Sequence, residues 1–398
     1  MIITPEQYAS LEKRIIAAVD ASAQELIAIS RDIHAHPELM WKEHYAVKIL
    51  TQKLMTEGFE VEHQPGGLET AFVARTHGMN ADGPTIGIIA EYDALPEIGH
   101  ACGHNLIATS ALGAGLALQR VMGELPGTVA VFGTPAEEGG GGKMVMRDAG
   151  VFAGVDAVMM THMAMETVTK PIFLAVGGVE IVMHGKASHA AAAPEAGINA
   201  LDAIIQTFNG INALRQHIRS DARIHGIITN GGAAANIVPE LAVASFACRA
   251  LDAAYARALV QKLRAVAEGA ALATGATLEF KHRGVIEHVQ SNDVMARLYG
   301  ERMKQFGIEP AIHQKDGPAS TDMGPLSHHL PAIHPLVQIA DLPTAWHTPA
   351  FRDAAFSDRG QRGMLLAAKA MALTTLDLLV KPGLLDSVKA EFAEYIGK

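Results

Sequence analysis

Cysteine is scarce: two residues in 398, at positions 102 and 248, leave no material for a disulfide framework. A bridge-stapled secreted scaffold is therefore excluded, and a reducing, cytoplasmic setting is expected. No second cysteine pair exists, which argues against a structural Cys₄ or Cys₂His₂ zinc site. The chain lacks any run of six or more Lys or Arg, and its formal net charge is −10, so nucleic acid is an improbable partner. No targeting segment is expected. The apolar opening Met1 to Ile3 is broken at once by Pro5 and Glu6. No membrane span is expected either. The most apolar stretch near the C-terminus, Leu365 to Leu384, contains Lys369, Asp377 and Lys381, with Pro382 beyond, and reads as a core helix followed by a turn. Three catalytic signatures are absent. There is no Gly-x-Ser-x-Gly elbow and no dinucleotide fingerprint after the first strands. The glycines 139–142 are followed by Lys143-Met144, without the hydroxyl of a phosphate loop.

What is present is a packed, enzyme-like composition, 49% hydrophobic and 19% charged with 38 glycines. A length of 398 residues exceeds what one hydrophobic core usually supports, so two domains are expected. Residues 5–33 have the apolar spacing of one or two amphipathic helices, and 43–57 that of another. Thr85 to Ala90, Thr128 to Gly133 and Val155 to Met160 are apolar runs that read as buried strands. Each leads into polar residues: Glu91 and Asp93, then Glu137 and Glu138, then His162. Alternation with helices, including Leu106 to Met122, predicts an α/β fold around a mostly parallel sheet. Active sites of such folds sit beyond the carboxyl ends of strands. From about residue 178 the order becomes strand-helix-strand-strand-helix-strand, that of an inserted ferredoxin-like α+β domain. Helical periodicity returns at Ser291 to Phe306 and again over 353–373.

Singly, most candidate residues have a structural explanation; position is what groups them. Cys102-x-His104 sets a thiolate beside an imidazole, a pairing suited to zinc-class ions. Glu138 and His162, each just after a strand, extend this to a mixed N/O/S set. Neighbouring carboxylates after a strand point in different directions. One is then able to bind metal while the other stays free as a base, which explains a need for both Glu137 and Glu138.

The chain resembles the M20 metallopeptidase and amidohydrolase family, and more closely its aminoacylase-like branch. The resemblance is carried by His34-Ala-His36-Pro37-Glu38, Glu91-Tyr-Asp93-Ala-Leu-Pro96, Gly99-His100-Ala-Cys102-Gly-His104-Asn105 and Pro135-Ala-Glu137-Glu138-Gly-Gly-Gly-Gly. It continues through Gly185-Lys-Ala-Ser-His189-Ala, Ser320-Thr-Asp322-Met-Gly324 and His347-Thr-Pro349-Ala-Phe. It implies a zinc-exopeptidase-like catalytic domain in two parts, 1–177 and 286–398, interrupted by a lid and dimerisation domain at 178–285. It further implies two divalent ions per subunit, zinc first, with manganese or cobalt as alternatives. The matching ligand positions are Cys102 (the bridge), His104, Glu138, His162 and His347. Glu137 matches the general base, and Asp93 an acid that orients a ligand. His225 matches a lid histidine facing the scissile bond from the same or a partner subunit. Asn236 and Arg249 match contacts to the substrate's carboxylate, and His189 a residue lining the cleft. Other branches place a His before the Asp and an Asp as bridge, where this chain has Glu91 and Cys102. The implied reaction is metal-dependent hydrolysis of an amide in an N-acyl amino acid, an aminobenzoyl-glutamate-like conjugate or a dipeptide, by a homodimer joined through its lids. A deacetylase or carbamoylase of small N-substituted amino acids is the enzymatic alternative, and a non-catalytic metal- or peptide-binding protein the other.

Overall fold

The computed structural model describes residues 3–80, 82–311, 314 and 319–397; Met1 and Ile2 of the apolar opening lie outside them. The chain divides into two compact units, one of Met1–Ile172, Gln290–Pro318 and Pro325–Lys398, the other of Phe173–Val289 and Ala319–Gly324.

In the first unit the N-terminal periodicity resolves into two helices, α1 (Pro5–Ala21) and α2 (Ala23–Ala35). A reciprocal capping box between Thr4 and Gln7 starts α1. Next come α3 (His44–Thr56), β1 (Glu60–His63), β2 (Phe72–His77) and β3 (Thr85–Glu91). Helix α4 (His104–Gln119) is buried at every position from His104 to Leu118, as its all-round apolar sequence requires. Strand β4 (Thr128–Thr134), α5 (Gly142–Asp148) and β5 (Ala157–Met159) complete the alternation. The expected third strand stops earlier than its apolar run. The chain leaves the main sheet after Met159, and His162 opens a separate strand, β6 (His162–Ala164).

The second unit runs β7 (Ala175–His184), α6 (Ala200–Leu214), β8 (Arg223–Asn230), β9 (Leu241–Ala250), α7 (Ala253–Thr274) and β10 (Thr277–Ile286). Its antiparallel sheet has the order β10-β7-β9-β8. Alternation on β7 drives the packing. Val179, Ile181 and Met183 enter the core shared with α6 and α7, while Glu180 faces out and pairs with Lys281 at 2.8 Å. The later segment at 319–324 joins this unit: Leu174 donates to the Ala319 carbonyl at 2.7 Å, and the Ser320 hydroxyl to the Leu174 carbonyl at 2.8 Å.

The chain then forms α8 (Asp293–Gln305), the short α9 (Met323–Ser327), β11 (Ala332–Ile333) and β12 (Leu336–Gln338). These two strands, of two and three residues, fall between the two late stretches of helical periodicity. Strand β11 extends the main sheet to β1-β2-β4-β3-β5-β11, parallel from β4 to β11 and antiparallel at β1 and β2. Strand β12 pairs with β6. The helix expected over 353–373 is two, α10 (Pro349–Phe356) and α11 (Asp358–Val380), because Ser357 leaves helical geometry and caps α11 through Gly360 N. Helix α12 (Leu384–Ile396) follows Gly383.

Helix α11 is long and apolar enough to cross a membrane by length and composition, but its most apolar window is 83% buried within the protein, against α4, α1 and α8. Its buried Asp377 is held by Arg302 through Nε at 3.0 Å and Nη2 at 2.7 Å, and by the Tyr8 hydroxyl at 2.5 Å. The N-terminal and C-terminal stretches of this unit are tied by that cluster. Arg302→Ala should leave the buried carboxylate with only the Tyr8 hydroxyl and the part-exposed Lys381, at 3.0 Å, and destabilise the protein by about 3 kcal/mol. An unchanged denaturation midpoint in urea would contradict the lock.

Candidate metal centre

Strand β3 has β4 on one side and β5 on the other, both parallel to it, so the segments that follow the three strands emerge at one end of the sheet. The first carries Asp93, Cys102 and His104, the second Glu137 and Glu138, the third His162. Gly103 adopts φ 84°, a left-handed turn that lets α4 begin at His104. The His34–Glu38 segment supports this loop. The Glu38 carboxylate accepts from Tyr45 N and Ala46 N at the start of α3, while its carbonyl accepts from Ala94 N at 2.8 Å. His34 donates to the Arg352 carbonyl at 3.0 Å, and its ring packs on buried His100.

Two triads of ligand atoms form, with the atoms of each within 4.8 Å of one another: Cys102, His104 and His162; and Cys102, Glu138 and His347. Cys102 belongs to both. Its sulfur lies 3.4 Å from His162 Nε2. His347 Nε2 lies 3.3 Å from one Glu138 oxygen, and His104 Nε2 lies 4.0 Å from the other. Glu137 falls in a further group with His104 and Glu138.

Asp93 fixes two of these elements together. One carboxylate oxygen accepts from His104 Nδ1 at 3.0 Å, the other from the Glu138 backbone N–H at 2.9 Å. With its Nδ1 proton committed, His104 turns Nε2 toward the cluster; burial opposes its charge, but Cys102 and Asp93 raise its pKa, and a metal ion would take the place of the Nε2 proton. His162 is oriented likewise, Nδ1 donating to the Met163 carbonyl at 2.7 Å. Trp346 Nε1 donates to the same carbonyl at 2.8 Å, and its ring meets His162 edge-on. His347 reaches the group from a strained backbone with φ 61°, pinned by its N–H donating to the Ala101 carbonyl at 3.0 Å.

The electrostatics favour cations. Burial first, and then Glu138, pushes the Cys102 thiol well above its ordinary value, so a thiolate there needs a positive ion. Burial and then His104 lower His162 to about 4, leaving it neutral and free to ligate. Burial acts to raise Asp93, but His104 and the Glu138 N–H outweigh it and hold the carboxyl below its usual range. His104 Nε2 and Glu138 Oε1 are both buried with no hydrogen-bond partner among the described residues. Orphaned lone pairs converging on one another are costly unless a cation sits between them. The donor set therefore fits a pair of divalent ions.

Sequence reasoning missed the buried Glu43. It accepts from Trp41 N at 2.9 Å, Thr70 Oγ1 at 2.7 Å and Ala136 N at 2.9 Å. The last of these holds Ala136 at φ 60°, directly before Glu137 and Glu138. No motif announces this partnership, which spans 93 residues. In the inserted unit, His225 is exposed on β8 and its Nε2 accepts from Arg249 Nε at 3.3 Å. Half-buried Arg249 also donates to Ser320 Oγ at 2.7 Å. His189 Nδ1 accepts from Ala191 N and Ala192 N, and the exposed Asn236 receives Ala190 N on its carbonyl at 3.0 Å. Both thus have roles in shaping their own loops.

A family model described as a peptidase dimerisation domain, M20_dimer, matches residues 175–274. Mouse Xaa-Arg dipeptidase is 38% identical over 397 residues, covering 96% of this chain and 92% of that protein. One of the polypeptides of the Escherichia coli K12 p-aminobenzoyl-glutamate hydrolase is 30% identical over 450 residues, covering 94% of this chain and 93% of its own length. Among solved structures, the Bacillus subtilis YXEP protein, described as a dinuclear metal-binding peptidase from the M20 family, superposes with a TM-score of 0.73. It is 26% identical and covers 90% of this chain and 99% of its own.

The turn carrying the two glutamates depends on Gly142, where a Cβ would lie 1.9 Å from the Pro135 carbonyl oxygen. Gly142→Ala should displace Glu137 and Glu138 and cut hydrolysis about 100-fold. Steady-state rates on folded variant, checked by circular dichroism, decide it.

Proposed function

Given that the chain belongs to the M20 family of metallopeptidases and amidohydrolases, in its aminoacylase- and dipeptidase-like branch, we propose that Glu137 is the proton carrier of its reaction. The protein is a metal-dependent amidohydrolase acting on N-acyl amino acid or dipeptide-like substrates. The observation that carries the mechanism is the shared Cys102 joining two ligand triads, with Glu137 adjacent to, and outside, both.

Bound there, two divalent ions supply Lewis acidity toward a water and toward the scissile carbonyl. Cys102, His104 and His162 would hold one and Cys102, Glu138 and His347 the other; a thiolate donor common to both sets would favour zinc. Glu137 takes a proton from the attacking water on a carboxylate oxygen and returns it to the leaving nitrogen, serving as base and then as acid. Asp93 keeps His104 and Glu138 in register while this happens. His225 is assigned the role of donor to the carbonyl oxygen. With Nε2 accepting from Arg249, its proton resides on Nδ1. Burial, followed by Arg249 and Arg215, lowers its pKa and keeps the ring neutral. Arg249 is assigned to the substrate's carboxylate, and Asn236 and His189 to its surroundings.

For the substrate we favour a dipeptide or acyl conjugate with a basic C-terminal side chain. The likeness to the Xaa-Arg dipeptidase and the net charge of −10 both support this choice. A panel of dipeptides, N-acetyl amino acids and p-aminobenzoyl-glutamate separates it from the deacetylase and conjugate-hydrolase alternatives. Chelation should abolish hydrolysis of whichever member is cleaved. Glu137→Gln should retain both ions by elemental analysis and lose about 10²–10⁴-fold in kcat. Near-normal turnover by the metal-loaded variant would refute the assigned base.

A homodimer is proposed through the inserted unit. Strand β8 lies at the edge of its sheet with Ile227 66% and Ile228 42% exposed, an apolar edge suited to pairing with a second copy. Ile227→Lys should convert a dimer into a monomer in light scattering. A mass unchanged from wild type would remove β8 from the interface.

A further inference from the structure

Glu137 is anchored through both of its chain neighbours. The Ala136 N–H donates to Glu43 Oε1 at 2.9 Å, and the Glu138 N–H to Asp93 Oδ2 at 2.9 Å. The residue between them therefore hangs from two buried carboxylates. The Ala136 carbonyl accepts from Gly140 N at 3.0 Å and from Gly141 N at 2.8 Å, which closes the turn onto the same residue. Ala136 is thus the pivot of the turn. It sits at φ 60°, a left-handed backbone that alanine keeps only under constraint.

Glu43 supplies that constraint twice. The Oε1 that meets Ala136 also accepts from Trp41 N at 2.9 Å, and Trp41 is left-handed too, at φ 67°. The Trp41 indole comes back over the tip of the turn, where a Cβ on Gly140 would lie 2.7 Å from its Cε2 and Nε1. One oxygen therefore grips the turn at its base directly and at its tip through the indole. The other oxygen, Oε2, is fixed by the Thr70 hydroxyl at 2.7 Å, and the Thr70 carbonyl accepts from the Tyr92 hydroxyl at 2.5 Å. Tyr92 precedes Asp93 in the chain, so the carboxylates on either side of Glu137 are joined by one buried run of contacts.

Joining β4 to α5 needs neither device. A glycine at 136 would take the left-handed turn without strain, and an apolar residue at 43 would bury without needing three donors. A strained alanine kept under a buried carboxylate, next to a proton-transfer group, points to placement. We propose that Glu43 is a positioning residue for the reaction. Through Ala136 it fixes where the Glu137 carboxylate stands relative to the water it deprotonates and the nitrogen it protonates. The inference rests on the reading of Glu137 as proton carrier and deepens it.

The test is a double-mutant cycle on the full-length, metal-loaded protein, read as kcat, KM and bound metal. The substrate is alanyl-arginine or, if that is not cleaved, the panel member hydrolysed fastest. Glu43→Ala should lower kcat about 100-fold while KM and both bound ions stay as in wild type. In a Glu137→Gln background, assayed at high enzyme concentration, the same change should cost nothing further, because the group it positions is gone. A general loosening of the fold would instead subtract the same factor in both backgrounds. That outcome, or an unchanged kcat in Glu43→Ala alone, overturns the assignment. Glu43→Asp repeats the cycle with the buried charge kept and the carboxylate withdrawn from Ala136 N by one methylene, so a misfolded alanine variant does not end the test. Its loss should likewise vanish when Glu137 is already replaced. If Glu137→Gln itself turns over at the wild-type rate, the base is misassigned and the role of Glu43 falls with it. If Glu137→Gln is impaired while the Glu43 variants keep full kcat, only the role of Glu43 falls.

Discussion

Asp93 binds two pieces of backbone that have no covalent reason to be near each other. Its carboxylate spans from the side chain of His104, at the start of α4, to the main chain of Glu138, after β4. A single planar group with two acceptors thereby sets the spacing between ligands contributed by different strands. The same contact commits Nδ1 as a donor and so leaves Nε2 as the ring nitrogen available to a metal. Burial would raise the carboxyl's pKa; its partners more than offset that, so the acceptor stays ionised where it must accept twice. The outer supports extend this frame. Glu43 fixes the strained Ala136, and Glu38 joins the start of α3 to Ala94.

Much of the site could be read along the chain because it lies where strands end. The apolar runs of β3 and β4 mark two such ends, and Cys102-x-His104 supplies a ligand pair on a local spacing. His162 was reachable from its place after an apolar run, though the strand boundary there was not. The run continues through Met160, but the backbone changes sheets at Thr161 to pair with β12 instead. Strands as short as β11 and β12 have too few residues to show a period. The break between α10 and α11 had a local sign, Ser357 before Asp358, which the continuing apolar pattern concealed. The partners of Glu43 had none, for they meet only when the approach to α3 is brought against the segment after β4.

The inserted unit solves a different problem with the same economy of contacts. Both of its helices serve one core with the sheet, so the two edge strands carry contrasting surfaces. At β10, Lys281 and Glu279 alternate with half-buried apolar residues, and charge on an edge discourages unwanted pairing. At β8 the isoleucines stand exposed. Arg249 links His225 to Ser320, so a histidine on the edge strand is tied to a segment 71 residues beyond Arg249 that rejoins this unit.

The two ligand triads differ in when the ribosome finishes them. Cys102, His104 and His162 all emerge before the inserted unit has begun, whereas His347 follows only after that unit and α8 have been made. Domains tend to fold in order of synthesis. Both triads nevertheless belong to the discontinuous first unit, whose last pieces, His347 among them, are made after the inserted unit, so the inserted unit is the part complete first and the centre is finished behind it.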